Sequence, residues 1–197
     1  QWNNPGTTGT QDCDSAPTAN TCERAFDIAY ESLSGRAMVV YADNVADKFY
    51  YALWDGSAWS PDSSPGSPSA TNEIDFHTGG TGGTPNWIRA VSMGENLDNS
   101  RTDAIMVLIA DSNDDLFSCY WNGSSFSCLS AAIESDLEHC TNGQCFDGAW
   151  TTNTEFVALY TDTTNVDVNW QENTIGSGWG GEQTGYTTTT DAQWIEL

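Results

Sequence analysis

The sequence predicts an all-β chain built from about three repeated units, each made of four antiparallel strands. One strand ending occurs three times, at residues 39–43 (VVYAD), 107–111 (VLIAD) and 158–162 (ALYTD). A short polar loop, a further strand and a tryptophan follow each copy: Trp54, Trp121 and Trp170. No long segment has the apolar period of a helix. Internal repetition of this kind indicates the architecture before any single motif does.

The first unit covers residues 26–60, and its turns have clear sequence signals. Its predicted strands are residues 26–30, 37–43, 48–54 and 58–60. Gly35 marks the first turn, and the Asp55-Gly56 pair marks the last. An Asp-Gly or Asn-Gly pair between two alternating strands is the strongest short signal for a β-hairpin.

The second and third units, residues 87–129 and 146–183, repeat this plan after a linker rich in Pro, Ser and Gly (61–85). The strands predicted for the second unit are residues 87–91, 104–111, 116–121 and 125–129. Those predicted for the third are 146–150, 155–162 and 166–170, followed by a longer hairpin loop at 171–178.

Both ends of the chain lie outside these three units. Residues 194–197 (WIEL) match the start of the second unit (WIRA) and predict the first strand of a partial fourth unit. Residues 1–24 are rich in Asn, Gly, Thr and Pro, and they predict an extended arm. The expected organisation is therefore this arm and a single repeat domain, residues 25–197.

Two of the predicted strands contain almost continuous apolar runs, AMVVY at residues 37–41 and AIMVLI at 104–109. A sheet with one face in water alternates apolar and polar residues. The continuous runs therefore indicate sheets that are covered on both faces, as in a stack of four-stranded sheets.

A turn of the form Trp-Asp/Asn-Gly-Ser-x-aromatic-Ser occurs at residues 54–60 and again at 121–127. With the stacked four-stranded units, it resembles the blades of extracellular β-propeller proteins, including sialidase-like and fucose-lectin-like propellers. The resemblance implies a β-propeller-like stack of about three blades over residues 26–183, and a β-sandwich is the alternative. The turn departs from the sialidase aspartate box, Ser-x-Asp-x-Gly-x-Thr-Trp, so sialidase activity is not implied.

The chain is strongly acidic. It has 28 Asp and Glu against 5 Lys and Arg, a formal net charge of −23. Binding to nucleic acid needs clustered cations, so nucleic acid is excluded as an expected partner. No run of about 18 apolar residues is present, so no membrane span is expected.

The six cysteines form three close pairs along the sequence. We predict the disulfides Cys13–Cys22, Cys119–Cys128 and Cys140–Cys145, because these spacings do not match metal-binding motifs. The middle pair flanks a predicted tight turn and would meet across a hairpin. Disulfides persist in oxidising compartments, so we expect an extracellular or cell-surface protein.

The sequence lacks the usual signals of an enzyme. A nucleophilic serine on a Gly-x-Ser-x-Gly turn is absent, and so are phosphate-binding and dinucleotide-binding motifs. His77 and His139, the only histidines, lie in polar loops and are a poor supply of general bases. We therefore expect a non-enzymatic protein.

One loop has the start of a calcium-binding pattern. Asp111, Asn113 and Asp115 place oxygen ligands at alternate positions. The loop lacks the glycine and the distal glutamate of a complete calcium loop. Asp and Asn also favour turns without any ion, so turn chemistry is the alternative interpretation. Calcium is the one cofactor that the sequence suggests.

Repeated tryptophans beside small polar residues can stack on sugar rings. The candidates for glycan binding are Trp54, Trp59, Trp121 and Trp170. The alternative is that they form the core of the blades. Fucose-type lectin sites also use arginine, and this chain has few arginines.

Two functions follow from this sequence. The first is a structural or adhesive extracellular module, a filament subunit that joins further copies head to tail or packs on further repeats of a longer chain. Residues Trp194, Ile195 and Leu197 would connect such copies by strand exchange. The second is a carbohydrate-binding, lectin-like propeller with glycans as partners.

Overall fold

A computed structural model describes residues 24, 26–42, 47–61, 71–77, 88–97, 103–138, 144–162, 167–187 and 195–197. These residues form fourteen strands in three antiparallel sheets and no helix. None of them belongs to a helix long and apolar enough to cross a membrane.

Each sheet is one blade of a β-propeller-type stack. Blade 1 contains β1 (Phe26–Tyr30), β2 (Ala37–Ala42), β3 (Lys48–Trp54), β4 (Trp59–Ser60) and β5 (Glu73–Asp75). Blade 2 contains β6 (Ile88–Glu95), β7 (Ala104–Asp111), β8 (Leu116–Asn122) and β9 (Phe126–Cys128). Blade 3 contains β10 (Phe146–Trp150), β11 (Glu155–Thr161), β12 (Asp167–Thr174), β13 (Gly178–Trp179) and β14 (Gln183–Thr187). In every blade the first four strands lie side by side in the sheet, in the order in which they occur along the chain.

Two strands depart from the sequence prediction. β5 lies within the predicted linker. It pairs with residues 48–50 of β3, whereas β4 pairs with residues 53–54 of the same strand. β14 pairs with β12 beyond β13. β12 itself continues to Thr174, so most of the predicted loop at 171–178 is strand, and only a short turn precedes β13.

The two Gly-containing turns have the same construction. In the first, Asp55 Oδ1 accepts hydrogen bonds from the N–H groups of Ser57 and Ala58. In the second, Asn122 Oδ1 accepts from the N–H groups of Ser124 and Ser125. The φ angles of the intervening glycines are 98° and 94°, which other residues rarely adopt. The repeated turn motif thus has one structural basis.

The core consists of two layers, one on each side of blade 2. Blades 1 and 2 enclose the first layer, which includes Met38, Phe49 and Ile105. Blades 2 and 3 enclose the second, which includes Leu108 and Phe156. All eight residues of β7 are buried, because it lies in the middle of the central blade.

Phe156 of blade 3 packs closely against two glycines, Gly94 of blade 2 and Gly148 of its own blade. The Phe156 ring lies so near Gly94 and Gly148 that a Cβ at either position would be 2.4 Å from it. Only glycine leaves room for the ring at these two positions. Trp150 reinforces the junction, since its Nε1 donates to the carbonyl of Gly94 at 2.9 Å.

The predicted disulfide between Cys119 and Cys128 is present. It joins directly opposed residues of β8 and β9. Cys145 is also disulfide-bonded. Cys13, Cys22 and Cys140 lie outside the described residues, so the pairings 13–22 and 140–145 stay predictions.

The C-terminal segment repeats the way in which β6 joins blade 1. In blade 1, the Arg24 carbonyl accepts from the Val91 N–H, and Asp27 accepts from the Met93 N–H. In blade 3, the Gln144 carbonyl and Asp147 accept from Ile195 and Leu197 in the same way.

This repetition gives the register in which Ile195 and Leu197 lie on blade 3, and the predicted start of a fourth unit stays a prediction. Ile195 corresponds to Val91, whereas the sequence match had aligned it with Ile88. Ile195 is buried on its own chain, and Leu197 is exposed. Trp194 and the predicted arm at residues 1–23 lie outside the described residues. Arg24, the last residue of that arm, is part of the blade 1 junction.

Candidate functional site

A groove of about 410 Å³ lies at the outer edge of blade 3. It is built around β12 and around the two strands that pair with its opposite ends. Its lining includes two half-buried tryptophans and several polar side chains: Trp170, Trp179, Glu172, Thr174, Ser177 and Gln183.

Strand alternation sets which side chains enter the groove. Trp170, Glu172 and Thr174 are alternate residues of β12, so they project from one face. β13 pairs with the end of β12, at Thr174, and β14 pairs with Trp170 through Gln183. Between these two pairings, the segment that joins β13 to β14 runs beside the middle of β12. There the Gly180 N–H donates to the Glu172 carbonyl at 2.8 Å.

Glycines shape both sides of the groove. Gly176 and Gly178 have φ angles of 87° and 88° and form the turn between β12 and β13. Gly185 lies against Trp170, because a Cβ at this position would be 3.3 Å from the indole ring. The indole is therefore supported along one edge.

The groove combines the groups that recognise a polyhydroxylated ligand. Trp170 supplies a flat apolar surface, and Glu172 supplies a carboxylate that accepts hydrogen bonds. Gln183, Thr174 and Ser177 add an amide and two hydroxyls at the rim. A small number of polar groups around an aromatic surface is the usual composition of a small-molecule site.

The loop beside the groove is anchored to the junction between blades 2 and 3. Glu182 accepts a hydrogen bond from the buried Tyr160 hydroxyl at 2.8 Å, and Gln171 Nε2 donates to the same hydroxyl at 2.7 Å. Burial raises the pKa of Glu134, and a hydrogen bond with Glu182 raises it further. These contacts hold one wall of the groove in place.

Trp170 is not the structural counterpart of the other two repeated tryptophans. Trp54 pairs with Trp59 across β3 and β4, and Trp121 pairs with Phe126 in the same position of blade 2. In blade 3 this position belongs to Asn173, which pairs with Trp179. Trp170 lies on the opposite face of its sheet, so the sequence repeat misaligned it by three residues.

The register of Trp170 matches that of Tyr51 in blade 1. Asp27, Val40 and Tyr51 form one row across blade 1. Asp147, Leu159 and Trp170 form the same row in blade 3. Blade 2 covers Tyr51, with the rings of Trp121 and Phe126 at 5.6 and 5.2 Å. Trp170, by contrast, lines an open groove.

The structure places the other predicted glycan-binding tryptophans apart from this groove. Trp121 is 2% exposed, and its Nε1 donates to the buried carboxylate of Glu31 at 2.7 Å. It is part of the core and has no face to offer a sugar. Trp54 and Trp59 are half-buried on blade 1 and contact each other, with ring centroids 5.2 Å apart.

The predicted calcium ligands form a turn closed by hydrogen bonds. Asp111 Oδ1 accepts from the N–H groups of Asn113 and Asp115, both at 2.9 Å. Burial raises the pKa of the Asp111 carboxyl to about 6, and the hydrogen bonds from the Asp115 and Asn113 N–H groups oppose this rise. The described ranges contain no group of three or more His, Cys, Asp or Glu side chains placed to hold a metal ion. Calcium binding at this turn stays a prediction.

The basic side chains within the described ranges are engaged in ion pairs. Each contacts a carboxylate: Arg24 with Asp27, Arg36 with Glu31, Lys48 with Glu73, and Arg89 with Asp114. Glu31 is fully buried and also accepts from Ser34, so its pair with Arg36 is structural.

Sequence reasoning identified Trp170 but not the rest of the groove. Glu172 and Gln183 were missed because their neighbourhood depends on how β14 pairs with β12, which no local pattern specifies. The doublet Trp179-Gly180 resembles the earlier turn tryptophans and was the one available signal.

Comparison with known proteins shows a shared fold at low sequence identity. A fucose-specific lectin from Aleuria aurantia is similar to this chain at 15% identity with a TM-score of 0.51, covering 86% of this chain and 47% of its own. A fucose lectin from Kordia zhangzhouensis, solved with methyl-fucoside, has 13% identity, a TM-score of 0.45, and coverage of 83% and 99%. The chain thus spans about half the length of the Aleuria lectin. No protein-family model and no curated protein sequence matches it.

Proposed function

We propose that this chain is a non-enzymatic, carbohydrate-binding module and that the Trp170 groove is its glycan site. The observation that carries the proposal is the half-buried indole flanked by Glu172 and Gln183 in an open groove. The fold shared with the Aleuria protein, described as a fucose-specific lectin, supports it. The Cys119–Cys128 disulfide supports an extracellular location.

The glycan that fits this site is uncharged. Glu172 lies in the groove, and the chain has a formal net charge of −23. Sialylated, sulfated or uronic acid glycans would meet repulsion from both. A neutral sugar avoids this cost, stacks its apolar face on Trp170, and directs hydroxyls to the carboxylate and the amide.

A glycan array containing neutral glycans and their sialylated or sulfated counterparts tests the proposal. We expect retention of one or more neutral glycans and weaker retention of each anionic counterpart. Absence of binding to every glycan would refute the carbohydrate-binding function. Preferential binding to anionic glycans would refute the assignment of a neutral ligand.

A second candidate function, self-association, has its own observation. The outer face of blade 1 exposes Phe26, Ile28 and Tyr30 by 45, 49 and 56%. Exposed apolar sheet surface of this kind favours association. Light scattering of the wild type and of Ile28→Glu tests this candidate. We expect oligomers that the substitution dissociates, and a wild type that is monomeric at all concentrations would contradict it.

A further inference from the structure

The β11–β12 end of blade 3 gathers three oxygen-bearing side chains on one face. Thr161 pairs with Val168 and Tyr160 pairs with Asn169, so continuing the register by one residue places Asp162 opposite Asp167. Asp167 and Asn169 are alternate residues of β12, and Asp162 is two residues from Tyr160. Their side chains therefore share the face that looks toward blade 2.

Asp162 and Asn169 are buried and Asp167 is half-buried, and two oxygens of this group are buried without a hydrogen-bond partner. Asn169 is 2% exposed, and its Nδ2 donates to Asp162 Oδ2 at 2.8 Å. Asn169 Oδ1 and Asp167 Oδ1 are both buried without a partner. A buried, unpartnered acceptor is costly, and the great majority of such atoms in proteins are satisfied. Two such oxygens beside a second carboxylate form a group of acceptors that suits a positively charged ligand.

The connection between blades 2 and 3 covers this cluster. Leu137 forms a β-bridge with Asp162, and the Glu138 N–H donates to the Thr161 carbonyl at 2.8 Å. The cover reduces access of water, so the two carboxylates repel each other more strongly than they would at the surface.

We propose that Asp162, Asp167 and Asn169 form a binding site for a hard divalent cation, preferentially Ca²⁺. Carboxylates, amide carbonyls, backbone carbonyls and water are the ligands that Ca²⁺ takes, in irregular geometry. Mg²⁺ demands near-ideal octahedral coordination and releases its water reluctantly. Asn169 Nδ2 faces Asp162 when no cation is bound. Rotating the amide by 180° exchanges Nδ2 and Oδ1, so that Oδ1 can coordinate a cation bound to Asp162.

This cluster is a better cation site than the turn at Asp111. At the turn, one oxygen, Asp111 Oδ2, is buried without a partner. Asp111 Oδ1 already accepts two backbone N–H groups, and the positive charge of Arg89 acts on the same carboxylate. The basic side chains of the described ranges are paired with other carboxylates.

Calorimetric unfolding and Ca²⁺ titration of the full chain, freed of metal by a chelator, test the proposal. The variants are Asp167→Asn, which removes one charge at nearly constant shape, and Asp115→Asn as the matched control in the other loop. NaCl of equal ionic strength controls for screening, and Mg²⁺ tests ion preference. We expect Ca²⁺ to raise Tm beyond the NaCl control and beyond Mg²⁺. Asp167→Asn should weaken Ca²⁺ affinity by about tenfold or more, and Asp115→Asn should leave it unchanged.

Four results would overturn the proposal, the fourth being a stoichiometry far from one ion per wild-type chain. The first is a wild-type Tm in Ca²⁺ no higher than in NaCl of equal ionic strength. The second is unchanged Ca²⁺ affinity in Asp167→Asn, and the third is loss of affinity in Asp115→Asn alone, which would place the ion at the Asp111 turn. If Asp167→Asn does not fold, titration of Asn169→Ala replaces it with the same expected loss. Stoichiometry near one ion per wild-type chain is also required.

Discussion

At the scale of single residues, burial decides what identical side chains do. Trp121 and Trp170 occur in the same sequence pattern. Trp121 donates a hydrogen bond to the buried carboxylate of Glu31, whereas Trp170 lines a groove. The aspartates differ in the same way. Asp55 caps an exposed turn, and its hydrogen bonds, that of Ala58 first, lower its pKa. Asp111 caps a similar turn, but burial raises its pKa to about 6.

Replacing Asp111 by Asn should stabilise the protein at neutral pH. The folded pKa of Asp111 is about 6, above the ordinary aspartate pKa of 3.8. Its stabilising contribution is therefore complete below pH 4 and is lost as the pH rises through 6. The asparagine keeps the Oδ1 acceptor without the buried charge. Urea unfolding at pH 4 and pH 7.5 should show a gain of roughly 2–3 kcal/mol at the higher pH only.

Asp55→Asn is the control for this measurement. The lowered pKa of Asp55 contributes stability above its unfolded pKa, so this variant should gain none at pH 7.5. Equal pH dependence of stability in wild type and Asp111→Asn would show that the buried carboxyl does not limit stability.

At the scale of elements, the strands with strong local signals could be predicted and the added edge strands could not. β7 was evident from its apolar run, and the turn at Asn122 from its Asn-Gly pair. β5 and β14 are short. They form by pairing with the parts of β3 and β12 that β4 and β13 leave unpaired. Local patterns do not encode such long-range pairing, and for this reason Glu172 and Gln183 were not predicted as site residues.

The packing of Phe156 against its neighbouring strand in blade 3 should be sensitive to a single methyl group. A Cβ at Gly148 would be 2.4 Å from the Phe156 ring and 2.9 Å from the Val157 carbonyl oxygen. Gly148→Ala should therefore destabilise the protein by about 1–3 kcal/mol, with a fall in Tm of roughly 2–4 °C per kcal/mol in calorimetry.

Gly181→Ala is the matched control, because a Cβ there would have no neighbour within 4 Å. It should leave Tm nearly unchanged. A Tm in Gly148→Ala equal to that of Gly181→Ala would mean that Phe156 moves aside without cost and that its surroundings in blade 3 are loosely packed.

At the scale of the whole molecule, charge and an open stack of blades dominate. The net charge of −23 opposes compaction. Tm should therefore rise as NaCl is added, since the Debye length shortens from about 30 Å at 0.01 M to about 3 Å at 1 M. Calorimetry over this range checks the expectation, with KCl as a test for ion identity. A Tm that is flat or falls with both salts would show that self-repulsion does not limit stability.

The most direct test of the carbohydrate-binding function is calorimetric titration of the best neutral glycan from the array into three proteins. These are the wild type, Trp170→Ala, and Trp59→Ala as a matched tryptophan on blade 1. We expect one site per wild-type chain and an unchanged Kd in Trp59→Ala. Trp170→Ala should lose at least about tenfold in affinity, which corresponds to about 1.4 kcal/mol. Wild-type affinity in Trp170→Ala would contradict the assignment of the groove as the glycan site.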